Sequence, residues 1–178
     1  RHQIDNAGGA VACLELLDGF SFTRDTIAAG LARVEWPARM QRLTRGPLLG
    51  FLHPEDELWL DGAHNAHAGE MLAHHAEHWG DRPLHLVFGG LTTREVADVL
   101  RPIAPLVASV HGVTIPGEPS AHPAEAIASA VMELGVTARA DESVAAAVAA
   151  IRKSANGPIR VLICGSLYLA GHVLAENG

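Results

Sequence analysis

Ile159-Arg160-Val161-Leu162-Ile163-Cys164-Gly165-Ser166 is the stretch on which the fold turns. A strand buried on one face alternates apolar and polar residues. This run is almost continuously apolar, so it reads as a strand covered on both faces. It stops at two small residues that expose backbone, and residues 167–176 continue as a helix. Upstream, residues 84–88 repeat the design and close on Gly89-Gly90. Residues 106–110 form another such run, with an extension through Val113-Thr114-Ile115 left open, and residues 136–140 a weaker one. Helical periodicity fills the intervals. Residues 65–79 carry Ala68, Leu72, His75 and Trp79; residues 93–101 have Thr92 and Glu95 at capping-box spacing at their start. Residues 123–134 and 143–153 each place apolar side chains on one face. This alternation predicts an α/β, Rossmann-like, mainly parallel sheet with helices on both faces. Ligands of such sheets bind beyond the carboxyl ends of the strands. The turns 61–65, 89–95 and 165–167 are therefore the places to look.

Ahead of this block the pattern differs. Ile4, Ala7, Gly8, Val11 and Leu14 recur at helical spacing, and that helix ends near Asp18-Gly19. Thr23 is placed to cap a second helix through Ile27 to Leu31. Trp36-Pro37 breaks the pattern, because proline pushes its predecessor out of the helical region. Residues 40–45 and 48–53, separated by Gly46-Pro47, read as an antiparallel hairpin. A helix running from the first residues, with Arg1 and no Met in front, is the pattern of a segment cut from a longer polypeptide. The expected division is 1–33, closing a preceding domain and linker, and 34–178, the α/β domain.

Composition narrows the function classes. The chain has 178 residues, 48% hydrophobic and 19% charged, enough to bury a core and too apolar for a disordered segment. Thirteen Lys and Arg against 20 Asp and Glu give a net charge of −7, a poor basis for gripping nucleic acid. No apolar run approaches a bilayer span. The two cysteines, Cys13 and Cys164, stand in apolar stretches and read as buried, which fits a reduced, cytoplasmic setting. Small-molecule chemistry is the expectation, with neither nucleic acid nor membrane as partner.

The chemistry concentrates in the strand-to-helix turns. Asp61 ends a strand, where a carboxylate can accept hydrogen bonds from ribose hydroxyls, help hold a metal, or simply close the strand. Gly62 permits a tight turn, and His64 and Asn65 open a helix whose free N–H groups favour an anion or take Asn65 as a cap. Arg94 reads as sitting at a helix N-terminus on the same edge, unfavourable for the helix dipole unless an anion or an acid compensates. Gly165-Ser166 forms a third backbone-exposing turn. Five histidines, His64, His67, His74, His75 and His78, fall close together, but no cysteine completes a zinc set, and a solvated helix face is the simpler reading. Neither a dinucleotide glycine fingerprint nor a P-loop occurs.

Taken in order, these residues resemble a known family. Asp61-Gly62-Ala63-His64-Asn65 is similar to the DGAHNP motif of folylpolyglutamate and dihydrofolate synthases, members of the Mur ligase superfamily. His2-Gln3-Ile4-Asp5-Asn6 resembles HQxxN, Trp36-Pro37-Ala38-Arg39 resembles WPGR, and Cys164-Gly165-Ser166-Leu167-Tyr168 resembles the terminal GSLY. Thr93-Arg94-Glu95 stands where the family has DKD, keeping the charge and losing an acid.

The resemblance implies the C-terminal domain of a ligase that joins L-glutamate to dihydropteroate or a folate. ATP forms an acyl phosphate, and the glutamate amine then attacks it. It also implies that the phosphate loop and the Mg²⁺ ligands lie in a central domain, so that this chain alone is inactive. By the same resemblance Asn6, Arg39 and Asp61 contact nucleotide, while His64, Arg94 and Ser166 face the incoming glutamate. Arg39 and His64 would act in catalysis, and no metal ligand is assigned. A planar guanidinium suits a phosphoryl group gaining charge. A peptidoglycan-precursor Mur ligase is the nearest alternative, and a non-catalytic nucleotide-binding module of the same fold the other.

Overall fold

The computed structural model describes residues 2–177, with residues 2–5 given by their backbone alone. Arg1 and the side chains of His2, Gln3, Ile4 and Asp5, which carry part of the opening motif, lie outside the described residues. The chain divides into two units, residues 1–37 and 38–178.

The first unit is a pair of helices, α1 (His2–Glu15) and α2 (Arg24–Ala32). Thr23 caps α2 as its sequence suggests: its side chain accepts the Thr26 N–H, and the Thr26 hydroxyl closes the reciprocal half of the box. Ala7, Val11 and Leu14 form the partly covered stripe of α1. Cys13 lies off that stripe and is exposed, not buried as its neighbours suggested.

The second unit is built on six strands: β1 (Gln41–Leu43), β2 (Glu57–Leu60), β3 (Leu84–Phe88), β4 (Ser109–Val113), β5 (Ala138–Asp141) and β6 (Arg160–Cys164). Their order is β1-β2-β6-β3-β4-β5, with β1 antiparallel to β2 and every other neighbouring pair parallel. The expected Rossmann-like sheet is present. Helices α3 (Ala66–Ala76), α4 (Val96–Leu100) and α5 (Ala124–Glu133) cover one face; α6 (Val144–Ser154) and α7 (Leu167–Asn177) cover the other. On β3 and β6, side chains of alternate residues enter two separate cores. Val87, Val161 and Ile163 meet the α6 and α7 side; Leu86, Phe88 and Leu162 meet the α3–α5 side. This is why both runs read as continuously apolar.

Three local expectations change. The antiparallel pair exists, but its second strand is β2, with Gln41 opposite Leu60. Residues 48–53 instead fall largely on a 3₁₀ turn, Pro47–Phe51. Gly46 has φ +103, Pro47 offers no N–H to a ladder, and the Leu48 N–H goes to Oδ1 of buried Asn177 at 3.0 Å. The third apolar run starts later than expected, at Ser109, because Pro105 sits in a 3₁₀ turn. Helix α4 opens at Val96, not at Thr93, and its N-cap Glu95 makes no side-chain cap bond. The Thr92 N–H is already taken by the Ser120 carbonyl at 2.8 Å.

Candidate functional site

Strand β6 lies between β2 and β3, so the chain reverses its order across the sheet there, and three adjacent strands send their following turns to one edge. The turn after β2 is held by Asp61. Its Oδ1 accepts the Ala63 N–H at 2.8 Å and its Oδ2 accepts the Met40 N–H at 2.7 Å. Asp61 is 8% exposed, so these bonds lie almost out of water. Gly62 N–H donates to the Ala38 carbonyl at 2.8 Å. A Cβ at residue 62 would strike Leu167 and come within 3.1 Å of Arg39 Nη1, so the guanidinium rests directly over this turn. Arg39 and Asp61, both nucleotide candidates, are thus neighbours. Ala38 and Met40 flank Arg39 with φ of 55 and 43, a conformation that costs non-glycine residues about 1–2 kcal/mol each. Asn6 is exposed on α1 in the other unit.

Past Asp61, the His64 ring donates from Nδ1 to the Gly62 carbonyl at 3.0 Å. A carbonyl oxygen only accepts, so the proton of the neutral ring sits on Nδ1 and Nε2 is its acceptor. Asn65 caps α3, its Oδ1 accepting the Ala68 N–H at 2.9 Å.

The turns after β3 and β6 touch. Gly165 has φ +117, and a Cβ there would stand 2.5 Å from the Gly89 carbonyl oxygen and 2.8 Å from Phe88 Cε2. Only glycine fits. Ser166 is 2% exposed and its Oγ accepts the Tyr168 N–H at 3.0 Å, capping α7. Arg94 is exposed in a turn closed by its N–H to the Leu91 carbonyl at 3.1 Å. It therefore precedes α4 rather than occupying its first turn.

Between these turns lies a cleft of about 260 Å³. His64, Arg94 and Ser166 all line it, with Phe88, Val96 and Val99 forming apolar wall beside the exposed Leu167 and Tyr168. One cation, one imidazole acceptor and a hydroxyl thus meet in a mostly apolar cavity, an arrangement able to orient a small anion. Glu95 adds the only carboxylate among the described lining residues. The sequence reading missed His122, which also lines the cleft. It sits in the loop after β4, a fourth strand-to-helix connection whose position alone marked it for inspection. Cys164 is beneath the site, its thiol pushed up by burial and by the Asp61 carboxylate, so it is no nucleophile. Among the described residues no group of three or more His, Cys, Asp or Glu is arranged to hold a metal ion. His74 on α3 and His78 just beyond its end instead meet edge to face, and His67 and His74 lie near Glu70 and Glu77.

A mainly parallel sheet with its glycine turns gathered at one edge, and polar side chains lining a cleft beside them, defines an α/β domain with a ligand-sized site at the carboxyl ends of its strands. Residues 39–167 match the family described as Mur ligase, glutamate ligase domain, and the chain belongs to that family. The folylpolyglutamate synthase of Lacticaseibacillus casei is 30% identical over 151 residues, covering 85% of this chain and 32% of that protein. Among solved structures, Mycobacterium tuberculosis folylpolyglutamate synthase complexed with ADP and AMPPCP superposes with a TM-score of 0.79 at 28% identity, covering 98% of this chain and 40% of that one. A bifunctional folylpolyglutamate synthase/dihydrofolate synthase with Mn, AMPPNP and L-glutamate bound superposes with a TM-score of 0.73 at 25% identity, covering 93% and 37%. The chain therefore spans about a third of the curated relative and about two fifths of the solved structures. Among the described residues no helix is long and apolar enough to cross a membrane.

Proposed function

We propose that residues 34–178 are the C-terminal, glutamate-presenting domain of an ATP-dependent ligase. This ligase adds L-glutamate to dihydropteroate or a folate, and residues 1–33 close its central ATPase domain. The observation that carries the reading is the convergence of His64, Arg94 and Ser166 in one cleft at the carboxyl ends of β2, β3 and β6. The relative solved with nucleotide and L-glutamate bound supports it.

In this reading the Arg94 guanidinium takes a carboxylate of L-glutamate by charge-assisted hydrogen bonds. The Ser166 hydroxyl, already accepting from Tyr168, donates its own proton to the same amino acid. His64 Nε2 accepts a proton or hydrogen bond from the amine, which attacks only with its lone pair free. The amine nitrogen then bonds to the carbonyl carbon of the acyl phosphate made from ATP, and phosphate departs with the bonding pair. Arg39, over the Asp61 turn, faces the nucleotide and offsets charge building on the phosphoryl oxygens. Asn6 and Asp61 bind the nucleoside part. Fixing amine and acyl phosphate in line is this domain's contribution to rate. Magnesium would be held elsewhere in the ligase, and no step on these residues passes through it. The enzyme works in the cytoplasm, where ATP and folates meet.

The test is an assay of the full-length ligase with ATP, labelled L-glutamate, and either dihydropteroate or tetrahydrofolate as acceptor. ATP-dependent incorporation into at least one of them is expected. Incorporation only into a UDP-linked peptidoglycan precursor, or into none of the three, overturns the reading.

A further inference from the structure

The turn that carries Arg94 is not held by the helix after it, since α4 is five residues long and its cap makes no side-chain bond. It is held by residues 120–122 of the loop after β4. Leu91 bridges to Ala121, the Thr92 N–H donates to the Ser120 carbonyl at 2.8 Å, and the His122 N–H donates to the Gly90 carbonyl at 2.9 Å. The last fastening comes from a side chain: His122 Nε2 lies 2.9 Å from the Arg94 carbonyl oxygen. That oxygen can only accept, so Nε2 carries the proton and donates. His122 in turn is fixed by Pro123, whose locked φ leads directly into α5.

We propose that His122 is the positioning residue of the cleft: through its hydrogen bond to the Arg94 backbone it fixes where the guanidinium meets the carboxylate of glutamate. The proposal rests on the reading of the cleft as the glutamate site. It concerns a residue outside the motifs that carry the family resemblance. An arginine on an exposed turn has many rotamers and a mobile base, and a bidentate contact needs both restrained. A hydrogen bond to the arginine's own carbonyl restrains the base without neutralising the charge. This role needs only a donor at the place of Nε2. Glutamine provides one at similar reach, and alanine does not.

The test is a double-mutant cycle in the full-length ligase, reading the KM for L-glutamate and for ATP. Arg94→Ala is expected to raise the glutamate KM by about tenfold or more and His122→Ala by about threefold to tenfold, with the ATP KM within about twofold in both. Since His122 acts through Arg94, adding His122→Ala to Arg94→Ala is expected to raise the KM by less than about twofold further, and His122→Gln to stay within about twofold of wild type. In the 178-residue chain itself, His122→Ala is expected to speed amide exchange at Thr92 and Arg94, and His122→Gln to restore it. Additive KM effects overturn the proposal by making His122 a direct contact. An unchanged glutamate KM in His122→Ala beside a raised one in Arg94→Ala overturns it while leaving the cleft reading intact. An unchanged KM in Arg94→Ala overturns the cleft reading itself.

Discussion

Asp61 and Met40 stand 21 residues apart, and the Asp61 carboxylate accepts the Met40 N–H at 2.7 Å. The same carboxylate takes the Ala63 N–H with its other oxygen. One buried side chain therefore ties the turn before β1 to the turn after β2. The first turn is strained at Ala38 and Met40, on both sides of Arg39. Strain of that kind persists only where the surroundings impose it. Asp61 supplies part of that constraint, so it sets the place of Arg39 in addition to any contact it makes with nucleotide.

In the proposed full-length ligase, Asp61→Ala is accordingly expected to lower kcat as well as to raise the ATP KM. A pure ribose contact would be felt equally in ground and transition states and would change KM alone. Arg39→Ala should lower kcat at least as much, and the double variant should fall below Arg39→Ala by less than about twofold in kcat. Steady-state kinetics of the three variants check this. An unchanged kcat in Asp61→Ala contradicts the coupling.

Gly165→Ala should destabilise the α/β unit by about 2–4 kcal/mol, combining an unfavourable positive φ with overpacking against a neighbouring backbone. The obstacle is the Gly89 carbonyl at 2.5 Å, which cannot move without disturbing the end of β3. Gly171→Ala on α7, where a Cβ meets nothing within 4 Å, is the control and should be neutral or stabilising. Urea midpoints of both variants measure the difference.

The two buried sheet histidines predict an acid-side loss of stability. Burial pushes the imidazoles of His85 and His111 below their usual range; the nearby His111 and Arg152 add to the shift at His85, while Asp141 partly opposes it at His111. The folded state thus binds protons less readily than the unfolded chain. Stability is full above the unfolded histidine pKa of about 6.5 and declines as pH falls from there through the depressed folded values. The buried His85 Nε2 has no hydrogen-bond partner, so no acceptor rewards its protonation. His85→Leu is expected to flatten the slope of stability against pH between about 5 and 6.5, whatever it does to the absolute value. Denaturation midpoints across that range decide it, and an unaltered slope contradicts it.

The isolated 178-residue chain should catalyse no ATP-dependent glutamate ligation, because its sequence contains no phosphate loop to neutralise a triphosphate. Incubation with ATP, labelled L-glutamate and folate acceptors checks this. Any ATP-dependent product refutes it.

The architecture was legible where a single local rule decided the outcome. Asn65 and Thr23 cap the helices that their side chains suit, and the apolar runs 84–88 and 160–164 form the buried central strands. It was illegible where a partner distant in sequence decided. Residues 48–53 have strand-like composition, yet Asn177 near the other end of the chain captures the Leu48 N–H and the Arg45 carbonyl. Thr92 and Glu95 have capping-box spacing, yet Ser120 takes the Thr92 N–H first. The candidate site divides the same way. His64, Arg94 and Ser166 were found because parallel strands send their following turns to one edge. His122 was missed because its role depends on the long loop 114–123 folding back onto a neighbouring turn, which no periodicity encodes.

The most direct measurement is the position of L-glutamate in a crystal structure of the proposed full-length ligase with a non-hydrolysable ATP analogue. A glutamate carboxylate is expected at about 2.7–2.9 Å from the Arg94 guanidinium, with the amine on the His64 side of the cleft. L-Glutamate bound away from the cleft of His64, Arg94 and Ser166, or Arg94 turned instead onto the nucleotide phosphates, contradicts the assignment.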